Sequence, residues 1–286
     1  MKKTFKSASQ RGFTLIEAIM VIVITGILGT MVAVFIRAPV DGYIDSVARA
    51  ELTDAGDTAL RRIGRDVRVA LPNSLRTTSG GSTACFELLP TVGGGRYRIA
   101  QSSASSGTVL DFSVAGSLFD VLASSNLPPP GGYATTRHAV IYNLGIPGAD
   151  AYTIPIPNNN NRAAIGAASD LTAPNITLAL PNKFPFQSPG NRFHVISDFS
   201  VIYSCSAGTL IRSTRAITAA QLAACPAVGT VLVGNVDCAN SSFSYVPAVS
   251  QRNGLLTMTL VLTQPGSAGT QETIRLYQEV HVDNTP

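Results

Sequence analysis

Residues 13–36 are 24 consecutive positions whose only ionisable side chain is Glu17. As an α-helix rising about 1.5 Å per residue they reach about 36 Å, enough to cross the ~30 Å hydrocarbon core of a bilayer with some tilt. Such a run must find lipid or other apolar helices. A cleavable secretory signal fits badly, because its apolar core is only about 7–15 residues and ends in a small-x-small site. Here Phe35, Ile36 and Arg37 close the run. A plain membrane anchor fits the length but leaves Glu17 unexplained. A carboxylate within a membrane helix costs about 2.5–3.5 kcal/mol on insertion scales and marks a functional position, unless it lies near enough to the helix end to snorkel to the headgroups.

The formal charge of +4 is concentrated at one end. Lys2, Lys3, Lys6 and Arg11 precede the apolar run without an acid among them, so the other 275 residues hold 17 basic and 17 acidic side chains. A body with no net charge does not suit a nucleic-acid-coating protein, which needs a basic surface to release counterions. Basic residues before the span hold the N-terminus in the cytoplasm. Everything after residue 37 is then expected outside the inner membrane.

The segment Arg11-Gly12-Phe13-Thr14-Leu15-Ile16-Glu17 resembles the type IV prepilin signature. The resemblance implies cleavage between Gly12 and Phe13 by a prepilin peptidase, which also N-methylates Phe13. The leader, residues 1–12, is removed, and residues 13–36 remain as a transmembrane and assembly helix. Glu17 becomes the fifth residue of the mature chain, where this family carries its glutamate. The new amine at Phe13 of a neighbouring subunit can pair with that carboxylate in low dielectric, so assembly relieves a penalty carried by the lone subunit.

Pro39 lacks a backbone N–H and disfavours helix at the residue before it, so a break is expected near Ala38, with Asp41 capping the resumed helix. Residues 37–71 then read as an amphipathic helix: Tyr43, Val47, Leu52, Gly56, Ala59, Leu60, Ile63, Val67 and Leu71 recur at three- and four-residue steps. Asp45–Arg49 and Asp57–Arg61 are acid-first i,i+4 pairs, and the Arg cluster from 61 to 68 reads first as a solvated face and second as a subunit contact.

Residues 72–286 change character, with short β-rich runs punctuated by Gly, Pro, Ser and Asn. Candidate strands include 85–89, 96–100, 109–113, 139–143, 175–180, 192–203, 209–212, 230–233 and 242–246. The two that alternate most clearly, 254–262 and 273–282, form a natural antiparallel hairpin. Residues 144–174 read as a surface loop or insertion, and Gly93–Gly95 as a turn. The expected fold is α+β, a long N-terminal helix packed on an antiparallel β-sheet domain, which is also the pilin shape that the resemblance implies.

Two more stretches, 70–76 and 278–286, are similar to the O-type biogenesis subunit of mannose-sensitive haemagglutinin (MSHA) pili, and the architecture is similar to J-type minor pseudopilins of type II secretion. The function implied is that of a minor pilin that initiates or caps a fibre. Its implied partners are other major and minor pilins through the N-terminal helix bundle, the prepilin peptidase/methyltransferase and an inner-membrane assembly platform. It would sit in the inner membrane as a single-pass protein with a periplasmic C-terminal domain, and then on the pilus at the cell surface. A type II secretion pseudopilin, or a tip adhesin or DNA-uptake subunit using the polar loop at 158–161, are the other readings.

Cys85, Cys205, Cys225 and Cys238 all fall in the expected exported domain, where disulfides form. Of three possible connectivities, Cys85–Cys205 with Cys225–Cys238 is the expected set. No C-x-x-C pair suggests zinc. His138, His194 and His281 lie far apart in sequence, and Asp198, Asp237 and Asn240 lack EF-hand spacing for calcium. No catalytic, metal or cofactor motif is present, so the expectation is a structural subunit without cofactors rather than an enzyme.

Overall fold

In a computed structural model the described residues are 12–78, 84–102, 106–125, 137–154, 156, 159–166, 176–247 and 253–283. The basic side chains of the leader, Asn158 and part of the 144–174 segment lie outside them. The chain divides into two compact units. One comprises residues up to 50 with 265–272, and the other comprises 51–264 with 273–286.

A single helix, α1, runs over Leu15–Arg68, with Pro39 inside it. The break expected near Ala38 does not form, and Asp41 is an interior helical residue rather than a cap. Proline removes one N–H from the ladder, and the turns on both sides keep their own bonds. In the second unit the expected apolar stripe is buried from Leu52 onward: Ala59, Leu60, Ile63, Val67 and Leu71 are each at most 4% exposed. Tyr43, placed on the same stripe by spacing, is 71% exposed.

Among the described residues three antiparallel sheets follow. In chain order the strands are β1 Arg76–Thr77, β2 Cys85–Leu88, β3 Thr91–Tyr97, β4 Ser117–Ser125, β5 Arg137–Ile141, β6 Arg162–Ala164, β7 Ile176–Leu180, β8 Arg192–Ser197, β9 Phe199–Ser206, β10 Thr209–Ala216, β11 Thr230–Val233, β12 Ser242–Val246, β13 Gly254–Pro265 and β14 Gln271–Val282. The sheet orders are β1-β2-β9-β10-β11, β12-β13-β14 and β6-β5-β8-β3-β4-β7. Leu52, Leu60, Ile63 and Val67 of the helix share a core with Phe86, Tyr203, Phe243, Met258, Leu260 and Val280 from the first two sheets. The six-stranded sheet has its own core, built on Tyr97, Phe119, Phe184 and Phe193.

The expected strand 192–203 is two strands. The chain breaks at Asp198, so that β8 belongs to the six-stranded sheet and β9 to the five-stranded one. The expected strand at 109–113 is irregular, and β4 lies just beyond it. The glycines at 93–95 are not a turn but part of β3, between β4 and β8. A Cβ on Gly94 would stand 2.8 Å from the Phe193 carbonyl oxygen, so the missing side chain allows β8 to approach. Nor is the 144–174 segment wholly superficial: Ala151, Tyr152, Asn160, Asn161 and Arg162 are buried, and β6 pairs with β5.

The cysteines join as Cys85–Cys225 and Cys205–Cys238, which corrects the expected pairing. Register explains why. On β9 the residue opposite Cys85 is Ser204, so Cys85 shares the face of Ser204 while Cys205 points to the other side. Cys85 packs with Ile202, Leu222 and Cys225, and Cys205 lies in the core under α1.

Candidate functional site

The start of α1 is built by Thr14. Its Oγ1 accepts the Glu17 backbone N–H at 3.3 Å, and its carbonyl accepts the first helical bond from Ala18 N at 3.1 Å. Thr14-x-x-Glu17 is therefore the residue pattern of a capping box, a feature that the sequence reading missed although the spacing displays it. The Glu17 carboxylate occupies the first turn, where the helix dipole favours an anion. Gly12, Phe13 and Glu17 are exposed, Phe13 at 76%.

Beyond Glu17 the helix is apolar on every side. Ile19, Ile22, Ile24, Leu28, Val32, Phe35 and Ile36 are all exposed, and this is a helix long and apolar enough to cross a membrane. A helix apolar all round has to be buried in lipid or among other helices. Its two hydroxyl residues within the span do not oppose that. Thr25 Oγ1 donates to Val21 O at 2.6 Å and Thr30 Oγ1 to Ile27 O at 2.8 Å, so both are satisfied within the helix.

Residues 7–33 match the family model described as the prokaryotic N-terminal methylation motif. The match contains Gly12, Phe13 and Glu17. It supports a type IV pilin-like protein, a single-pass membrane anchor and a structural role for the chain. No curated protein and no solved structure matches the chain.

Farther along α1, Asp45 accepts the Ser267 N–H and hydroxyl, each at 2.7 Å, and these bonds hold its carboxyl below the usual range. Arg49 pairs with Glu272. The second expected helix pair is present, with Asp57–Arg61 at 2.7 Å. Asp66 accepts from the Tyr203 hydroxyl and from Arg212 Nε at 3.1 Å, which ties the last turns of the helix to β9 and β10.

A buried carboxylate organises the loop that carries Cys225. Glu87, with a fully buried side chain, accepts from Arg76 Nε at 2.8 Å, Arg215 Nη2 at 2.7 Å and the Ser200 hydroxyl. Burial would raise its pKa, but the bonds from Arg215, Ser200 and Arg76 outweigh that and hold it low. Arg76 also lies 3.5 Å from the Tyr152 ring centroid and donates to Thr218 O at 2.8 Å. Spacing gave no signal for this cluster, since its members come from β1, β2, β9, β10 and the loop at 152.

His138 on β5 and His194 on β8 are brought to one sheet face, and burial together with Arg162 or Arg192 lowers both, His138 to about 4. His281 is exposed on β14. Asp237 spends its carboxylate on the N–H groups of Ala239 and Asn240 and on the Asn240 amide, a local turn. Among the described residues no group of three or more His, Cys, Asp or Glu is arranged to hold a metal.

Proposed function

We propose that this chain is a minor pilin of an MSHA-like type IV pilus, working by assembly and not by catalysis. The observation that carries the reading is the methylation motif at residues 7–33 opening a helix whose apolar side chains are exposed on every side over residues 19–36. The prepilin peptidase/methyltransferase cuts between Gly12 and Phe13 and methylates the new amine of Phe13. Glu17 then supplies the carboxylate that pairs with that amine on an adjoining subunit. The leader remains cytoplasmic, the β domain is periplasmic until extrusion, and the two disulfides suit an oxidising compartment. The assembly platform and the other pilins are its partners, and its place is at the start or tip of the fibre. The short segments at 70–76 and 278–286 support the MSHA-like assignment over a type II secretion pseudopilin. Electron microscopy and secretion assays on a deletion strain test this choice. Loss of surface pili with secretion intact is expected, whereas normal piliation with lost secretion would overturn it.

A further inference from the structure

The exposed face of α1 in the second unit carries its charges in blocks. Glu51, Asp54 and Asp57 come first, at three-residue steps, and Arg62, Arg65 and Arg68 follow with the same steps, each eleven residues after its acidic counterpart. Eleven residues are close to three helical turns, so the two blocks lie on nearly the same side of the helix, about 16.5 Å apart along it. Glu51, Asp54, Arg62, Arg65 and Arg68 are all exposed. None of these five has an ion-pair partner among the described residues, and Asp57 is shared with Arg61. Blocks at this separation cannot neutralise one another within one helix, where pairing works at three or four residues. Beside the basic block a recess of about 590 Å³, lined by Thr58, Arg61, Gly64, Arg65, Arg68 and Gln278, can admit a partner's carboxylates.

We propose that this face docks a second copy of the chain, in parallel and displaced by eleven residues, so that Glu51, Asp54 and Asp57 of one copy meet Arg62, Arg65 and Arg68 of the other. The inference rests on the pilin reading, which anchors both copies by the same end and so makes their helices parallel. With no displacement, arginines would face arginines and carboxylates would face carboxylates, which disfavours that register. Exposed ion pairs add little affinity, and the apolar half of the helix supplies that. The charges select the register, as flanking charges do in coiled coils. The eleven-residue step differs from the four-residue step between Phe13 and Glu17, so the two contacts address different neighbours in a bundle of more than two helices.

The test is cysteine cross-linking between two differently tagged full-length copies in the membrane, Asp54→Cys in one and Arg65→Cys in the other, with the mature N-terminus read by mass spectrometry in the same sample. The mixed Asp54→Cys/Arg65→Cys product should exceed each same-site product at least tenfold and fall with rising salt. A processed chain giving mainly same-site products, cross-links only to other proteins, or no product would overturn the inference and leave the pilin reading in place. A chain still starting at Met1 would remove both.

Discussion

Glu17 combines two roles that substitutions can separate. Its backbone N–H and its position in the first turn contribute to the helix start, whereas its charge is what the assembly account requires. Glu17→Gln keeps the residue pattern of the capping box and removes the charge. It should be processed and inserted normally yet enter fibres about tenfold less well or worse, the consequence of losing one buried pair of at least ~1.4 kcal/mol. Wild-type incorporation of this variant, quantified by immunoblot of sheared fibres, would contradict charge pairing. Buried titratable residues also tie stability to pH. The Glu87 carboxyl is depressed in the folded protein, so its contribution is present above its unfolded pKa and is lost as pH falls through the folded value. His138 is also depressed, to about 4 from 6.5. The unfolded chain therefore binds the extra proton between those values, and stability falls by up to about 1.4 kcal/mol per pH unit on acidification across that window. Thermal melts from pH 7 to 3 should show both losses. His138→Gln should lessen the upper loss, to which the depressed His194 also contributes, and leave the lower one, and an unchanged slope in that variant would refute the assignment.

At the scale of elements, the backbone decides several points that composition obscures. Gly94 faces the Phe193 carbonyl across the β3–β8 ladder, and Gly94→Val should destabilise the domain by about 1–3 kcal/mol through forced separation of the strands. Chemical denaturation of the variant measures this, and an unchanged midpoint would show that β8 moves freely. The amphipathic turns from Leu52 to Leu71 and the hairpin of β13 and β14 were legible, because one side of each is buried and the apolar period records it. Gly93–Gly95 misled because a glycine run lacks any period, and its place in a strand depends on a neighbour distant in sequence. The split at Asp198 was hidden because each half carries a Val-Ile pair beside an aromatic residue, so both read as strand, and only tertiary pairing assigns them to different sheets. The disulfides were hidden for a related reason. Strand register puts Cys85 opposite Ser204, and a one-residue difference reverses the face.

For the molecule as a whole, the N-terminal segment and the β domain were unequally legible. Residues 11–17 state their chemistry in consecutive letters, so the candidate processing and assembly residues could be named from sequence. The Glu87 cluster draws its members from distant strands, and no linear pattern announces it. The division also has a physical basis: the apolar stretch over residues 19–36, exposed on every side, has no use for a partner within its own chain, while the β domain pairs its buried Glu87 internally. The central claim is that the helix is released from its leader to meet its neighbours. Intact-mass and N-terminal peptide mass spectrometry of the native protein tests it most directly. The account predicts a chain beginning with N-methylated Phe13, and a chain beginning at Met1 would contradict it.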